Sequence, residues 1–262
     1  MSSKPRLILT RPSAQAGPLA QRLTEMGYPV VIFPLLEIAA LPENSALQLK
    51  LQSVLANLKR YAIAAFVSPN AIHAVFSNGL AWPAEVAIAI MGEGSRHALA
   101  EYGIDDSNTS IISPSDPFRS DSETLLENLD CEALRGKEAV IFRSESGREL
   151  LADALLARGV HVDKVVAYQR LVPTLTSQHV NQLTELLSCS GYWIVSSSEA
   201  LRTLEQMVMH ELGAKDVVKM HQMNLWVSHQ RIAQNAENSG FKHVRLIGSG
   251  DENLLLALQS CP

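Results

Sequence analysis

One supersecondary unit occurs twice in this chain at a fixed spacing, and it limits the possible folds more than any other feature. Residues 139–170 read AVIFRSESGRELLADALLARGVHVDKVVAYQR. This is an apolar run, a polar turn opening at Arg143, an amphipathic helix, a stop at Gly159 and a second β-branched run. Residues 6–38, RLILTRPSAQAGPLAQRLTEMGYPVVIFPLLEI, have the same layout. Arg143 stands 132 residues after Arg11, and Gly159 stands 132 residues after Gly27. Each copy reads as a strand–helix–strand crossover, whose right-handed connection makes its two strands parallel. A shared offset across a whole unit points to internal duplication.

The rest of the chain extends the repeat. FVSPNAIHAVF resembles IVSSSEALRTL, and IMGEGSRHALAEYG resembles VSHQRIAQNAENSG. Strands alternating with helices at this spacing predict an α/β fold with parallel sheets. Ten strands are expected, divided into two similar five-stranded, flavodoxin-like domains. One runs through residues 39–173; the other is discontinuous, residues 1–38 with 174–262. Two linker strands would join them, near residues 41–44 and 171–177, each with a proline, leaving a cleft between the domains. A single ten-stranded sheet is the rival arrangement.

With 262 residues and 47% hydrophobic content, the chain has ample material for two cores. Its formal net charge of −5, without a basic tail, argues against nucleic acid as a partner. No apolar segment approaches the roughly 18 residues of a membrane span, and no signal-peptide core opens the chain, so a cytoplasmic protein is expected. Cys131, Cys189 and Cys261 read as small buried or tail residues. Met207, Met209, Met220 and Met223 read as helix packing.

In open parallel sheets, ligands bind beyond the carboxyl-terminal ends of the strands. The turns there are rich in glycine and small hydroxyls: Arg11; Ser68 and Asn70; Gly92 and Ser95; Arg143 and Ser144; Ser197 and Ser198; Ser228 and Arg231. Backbone N–H groups at helix starts bind anions, and Ser or Gly allows close approach. Each serine has a plainer use as the cap of its own helix. Arg11 and Arg143 can equally pair with ligand carboxylates or hold their own turns. Recognised signatures are absent. Gly92 and Gly94 form a lone G-x-G, no Walker lysine follows a glycine-rich turn, and no HExxH or Cys/His spacing marks a metal site. No cofactor is expected. Tyr168 ends an apolar run just before the proline linker. It is either a packing aromatic or a phenol at the cleft, able to donate a proton.

Taken together, LTRP, FVSPNA, the GEGS turn, FRSESGRELLADALLARGVHVDKVVAYQ, VSSSEAL, VSHQRIAQNAENSG and DENLLLAL resemble the uroporphyrinogen-III synthase family over essentially the whole chain. The resemblance implies a monomeric, cofactor-free lyase. Such an enzyme closes hydroxymethylbilane with loss of water and inversion of ring D, through an azafulvene and a spiro intermediate. Transient hand-over from the enzyme that makes the substrate is a further implication. The resemblance also implies that Tyr168 assists departure of the hydroxyl. Ser68, Asn70, Gly92, Ser95, Ser144, Ser197, Ser198 and Ser228 match positions that contact the substrate's acetate and propionate groups. One departure is the longer VSHQRIA turn, which leaves Ser228 and Arg231 as alternative matches. Two rival functions are a non-catalytic two-domain binder of a small polyanion and a two-lobed sugar or phosphate transferase.

Overall fold

The computed structural model describes residues 4–115 and 122–260; Cys261 and the expected helix cap at Ser120 lie outside them. The chain opens with β1 (Arg6–Leu9), α1 (Ser13–Glu25), β2 (Val30–Ile32), β3 (Glu37–Ala39) and α2 (Ala46–Ala56). Next come β4 (Ile63–Phe66), α3 (Pro69–Phe76), β5 (Ala87–Ile90), α4 (Glu93–Ala100), β6 (Ile111–Ile112), α5 (Ser122–Asn128) and α6 (Cys131–Leu134). The second copy of the repeat is β7 (Glu138–Ser144), α7 (Leu150–Ala157) and β8 (His161–Leu171). The last third holds α8 (Ser177–Ser188), β9 (Gly191–Val195), α9 (Ser198–Glu211), α10 (Ala214–Met220), β10 (Asn224–Val227), α11 (Gln230–Ser239), β11 (His243–Leu246) and α12 (Asp251–Gln259).

These elements form two compact units, one made of the described residues up to Glu37 and from Leu171 onward, the other of Ile38–Arg170. The first holds a five-stranded sheet in the order β11-β10-β9-β1-β2; the second holds a six-stranded sheet, β3-β8-β7-β4-β5-β6. Pairing is parallel from β11 across to β2 and from β8 across to β6. Leaving β3 aside, the two orders are one topology. The duplication extends to register: Leu7 faces Val30, and Ala139 faces Val162, each 132 positions on. The helix stops match as well. Gly27 and Gly159 adopt φ of 81° and 80°, a left-handed conformation that costs a residue with a Cβ roughly 1–2 kcal/mol.

Alternation along the strands gives each sheet two apolar faces. In the first unit Ile8, Trp193, Val195, Leu225 and Val227 join a core with α9 and α11, while Leu7, Leu9, Ile194 and Trp226 pack with α1 and α12. In the second, Phe66, Ile88, Ile90, Val140 and Phe142 pack with α3 and α4; Ile63, Ala65, Ala89 and Ile141 pack with α5 and α7.

Three expectations need correction. The described residues contain eleven strands, because Pro34 ends the run that the sequence presents as one strand, and Glu37–Ala39 pairs with β8 in the second sheet. That makes the second sheet six-stranded. Leu41, expected in an exposed linker, is buried in the second unit's core beside Leu51 and Val54. Met209 lies on the exposed face of α9, whereas Met207, Met220 and Met223 are buried as expected. Cys131 and Cys189 are partly buried free thiols.

Candidate active site

Both sheets direct their strand–helix turns to the carboxyl-terminal edge, as parallel pairing requires. In the second unit that edge carries Ser68 after β4, Gly92 after β5, Ser144 at the end of β7 and Tyr168 near the end of β8. Ser68 caps α3 from an extended backbone, its Oγ accepting the Ala71 N–H at 3.3 Å, with Pro69 supplying the first helical residue. Asn70 follows in the same first turn. Gly92 precedes α4 as its cap residue, and Ser95, 3% exposed, lies inside that helix's first turn.

Tyr168 is 4% exposed, and its ring belongs to the core that includes Phe66 and Phe142. Its hydroxyl lies 2.9 Å from Ser68 Oγ, in reach of the half-buried cap of α3. A register shift sets this up. Arg143 pairs with Val166 and Ser144 with Tyr168, so Ala167 is an extra residue and β8 carries a bulge. Such bulges re-aim a side chain at the end of a strand.

Arg143 is 7% exposed and is spent on its own turn. Its Nη1 donates to Glu149 Oε1 at 2.7 Å, and its Nε donates to the Ser144 carbonyl at 3.2 Å. Lys164 Nζ reaches the other oxygen of Glu149 at 3.0 Å. Hydrogen bonds from Lys164 first and Arg143 second hold the Glu149 carboxyl below its usual range. Ser144 Oγ donates to the Ser146 carbonyl at 2.7 Å, and Arg170 binds that same carbonyl at 2.6 Å.

In the first unit, Ser197 repeats the geometry of Ser68: an extended cap whose Oγ accepts the Ala200 N–H at 3.0 Å. Ser198 Oγ accepts Asn235 Nδ2 at 3.0 Å, and Ser228 Oγ donates to the Ser196 carbonyl at 3.4 Å, tying the turns after β9 and β10 together. Arg11 Nη1 donates to Asp251 Oδ1 at 2.5 Å, fixing the turn after β1 to the start of α12. Arg231 is exposed in the first turn of α11. Of the two residues left as alternatives, Ser228 is therefore built into the turn and Arg231 projects into solvent.

Sequence reasoning did not pair the duplicated arginines with Asp251 and Glu149, the acids that occupy them. Both sit at or beside the first turn of a helix, where carboxylates are favoured, and that position was the available signal. It also missed a cluster at the opposite edge of the second sheet. There Arg60 pairs with Glu138, and the Tyr61 hydroxyl donates to Asp163 Oδ2 at 2.6 Å beside a cavity of about 530 Å³. Its charges satisfy one another. Among the described residues, no group of three or more His, Cys, Asp and Glu side chains is placed to hold a metal ion, and no helix is long and apolar enough to cross a membrane.

Fold and edges together define a class: a two-unit parallel α/β protein whose strand–helix turns present helix N-termini, backbone amides and small hydroxyls. The family profile described as "Uroporphyrinogen-III synthase HemD" matches residues 17–246. The chain belongs to the uroporphyrinogen-III synthase family. Among its relatives is the uroporphyrinogen-III synthase of Salmonella typhimurium, 29% identical, with 97% of this chain and 99% of that protein covered. The Escherichia coli enzyme is 28% identical over the same shares. The fold matches the crystal structure of uroporphyrinogen-III synthetase from Helicobacter pylori at a TM-score of 0.59 and 13% identity, covering 97% of this chain and 99% of that one. It matches a mutant Thermus thermophilus uroporphyrinogen III synthase at 0.56 and 14%, covering 97% of both chains.

Proposed function

We propose that this chain catalyses the reaction its family is named for, acting as a lyase that closes hydroxymethylbilane to uroporphyrinogen III with loss of water and inversion of ring D. The observation that carries the chemistry is the Tyr168 hydroxyl beside Ser68 at a strand end, its ring clamped in the core. A clamped ring fixes the position of its proton, which general-acid catalysis needs. In this reading the phenol O–H bond breaks and its proton goes to the substrate's terminal hydroxyl. The carbon–oxygen bond breaks with its electron pair, water leaves, and the neighbouring pyrrole nitrogen supplies the electrons of the azafulvene. Once the ring has closed through the spiro intermediate, the proton lost from the closing pyrrole carbon returns to the phenolate.

Binding in this reading is divided among many donors. Gly92, Ser95, Asn70, Ser144 and Ser68 in one unit, and Ser197, Ser198, Ser228 and Arg231 in the other, surround helix starts whose N–H groups suit carboxylates. Each such helix end contributes roughly 0.3–1 kcal/mol to an exposed anion, more when partly buried. Arg11 and Arg143 hold their turns and contribute through that rigidity. The enzyme acts as a monomer in the cytoplasm, taking its substrate by transient hand-over from the enzyme that makes it. The test is turnover of hydroxymethylbilane with products resolved by isomer. Type III formation above the uncatalysed type I background is the expected result; binding without turnover would leave only a polyanion binder.

A further inference from the structure

The N-cap serine of α3 does more than cap a helix. Ser68 Oγ has two partners: it accepts the Ala71 N–H at 3.3 Å and lies 2.9 Å from the Tyr168 hydroxyl. Pro69 fixes the chain on one side and the rigid cap geometry fixes it on the other. A serine hydroxyl held by a backbone donor cannot wander. The buried ring fixes the phenol oxygen, and Ser68 stands where its hydroxyl can set the hydrogen bonding of that oxygen.

The duplicated half of the protein supplies the comparison. Ser197 has the same extended backbone and the same bond from the third helical N–H, at 3.0 Å. The residue 132 positions before Tyr168 is Leu36, buried and without a hydroxyl. Among the described residues, capping is thus common to both units, and the contact of the cap with a phenol is seen in one of them. Helix capping alone does not call for a tyrosine at the end of β8, nor for the bulge at Ala167 that aims it.

We propose that Ser68 is a positioning residue for Tyr168: its hydroxyl donates to the phenol oxygen, leaves the phenol's own O–H free for the substrate, and holds the phenolate formed when that proton is given up. This rests on the reading of Tyr168 as the acid. The donor direction follows from it, because a phenol that donates to Ser68 has no proton left to offer. Accepting the Ala71 N–H at the positive end of α3 strengthens the Ser68 O–H as a donor. As the phenol loses its proton, a neutral hydrogen bond becomes a charge-assisted one, so the interaction is stronger in the transition state than before it. A contact of that kind raises kcat and leaves KM nearly unchanged.

The experiment is steady-state kinetics with isomer analysis on the full-length protein, comparing Ser68→Ala, Ser68→Thr, Tyr168→Phe, the Ser68→Ala/Tyr168→Phe double variant and Ser45→Ala. Ser45 caps α2 in the same unit through the Gln48 N–H and stands outside the site, so its loss reports the effect of capping alone. Ser68→Ala is expected to lower kcat by about ten- to a hundredfold, the worth of a hydrogen bond to a charged oxygen, with little change in KM. Ser68→Thr restores most of that loss, Ser45→Ala keeps wild-type kcat, and Ser68→Ala has no further effect on kcat once Tyr168 is Phe. Should Ser68→Ala fail to fold, Ser68→Cys keeps the side chain's shape while weakening the donor, and carries the same comparison. Wild-type kcat in folded Ser68→Ala or Ser68→Cys, a loss confined to KM, or effects that multiply with those of Tyr168→Phe would each overturn the inference while leaving Tyr168 as the acid. Wild-type kinetics in Tyr168→Phe itself would remove the acid, and the inference with it.

Discussion

Tyr168→Phe keeps the ring in the core it shares with Phe66 and Phe142 and deletes only the hydroxyl, so it separates packing from chemistry. General-acid help is worth about a hundredfold or more. Type III formation should therefore fall by that order while the thermal midpoint moves little, and the type I share should rise as uncatalysed closure competes. Unchanged rate and isomer ratio would reduce Tyr168 to a core residue. Tyr61 offers a contrast, a phenol used for stability. Burial first, and the hydrogen bond to Asp163 second, push its titration above the usual phenol range. Its contribution is then fully present below the unfolded-state value near pH 10 and is lost as pH rises beyond it, because only the unfolded chain gives up the proton. Tyr61→Phe should cost about 1 kcal/mol at pH 8 in urea unfolding, and the gap from wild type should narrow above about pH 10. A gap independent of pH would reject that account.

The elements show which parts of the fold could be read from the sequence. A shared offset made the two strand–helix–strand copies legible, and the observed register repeats it from Leu7 and Val30 to Ala139 and Val162. Helix stops at Gly27 and Gly159 were legible for the same reason. The boundary between β2 and β3 was not, since both sides of Pro34 are apolar and only tertiary pairing tells whose sheet Glu37–Ala39 joins. Nor was the bulge at Ala167, which depends on a partner strand and leaves no mark in composition. The arginines were ambiguous because pairing with Asp251 or Glu149 is a matter of three-dimensional distance. The serine turns were the legible part of the candidate site, and they carry an element-scale prediction. Ser197→Ala removes the cap of α9 and one hydroxyl but keeps the backbone donors. It should cost about 1 kcal/mol of stability and lower turnover only roughly two- to tenfold. Complete inactivation of a folded Ser197→Ala protein would imply a nucleophilic serine and a different reaction path.

At the scale of the whole molecule, the chain enters and leaves its continuous unit at Ile38 and Arg170, on β3 and β8, which are neighbours in one sheet. Both faces of that sheet are covered within the unit: α3 and α4 complete one core, α5 and α7 the other. Hydrogen-bonded contacts of Tyr168, Ser68, Arg143 and Glu149 also stay inside it. A segment of that size with its own complete core meets the conditions for folding alone. Residues 38–170 expressed separately should therefore give a single cooperative unfolding transition and retain native-like protection of the β4, β5 and β7 amides. The Tyr168–Ser68 pair should survive in this fragment, whereas the donors at Ser197, Ser198, Ser228 and Arg231 are left behind. On the proposed reading both sets hold the substrate's carboxylates, so the folded fragment should form no type III product above background. Type III formation by the isolated fragment would mean that one sheet edge suffices for binding and ring inversion. A fragment that fails to fold would instead show that the second core depends on the residues on either side of it.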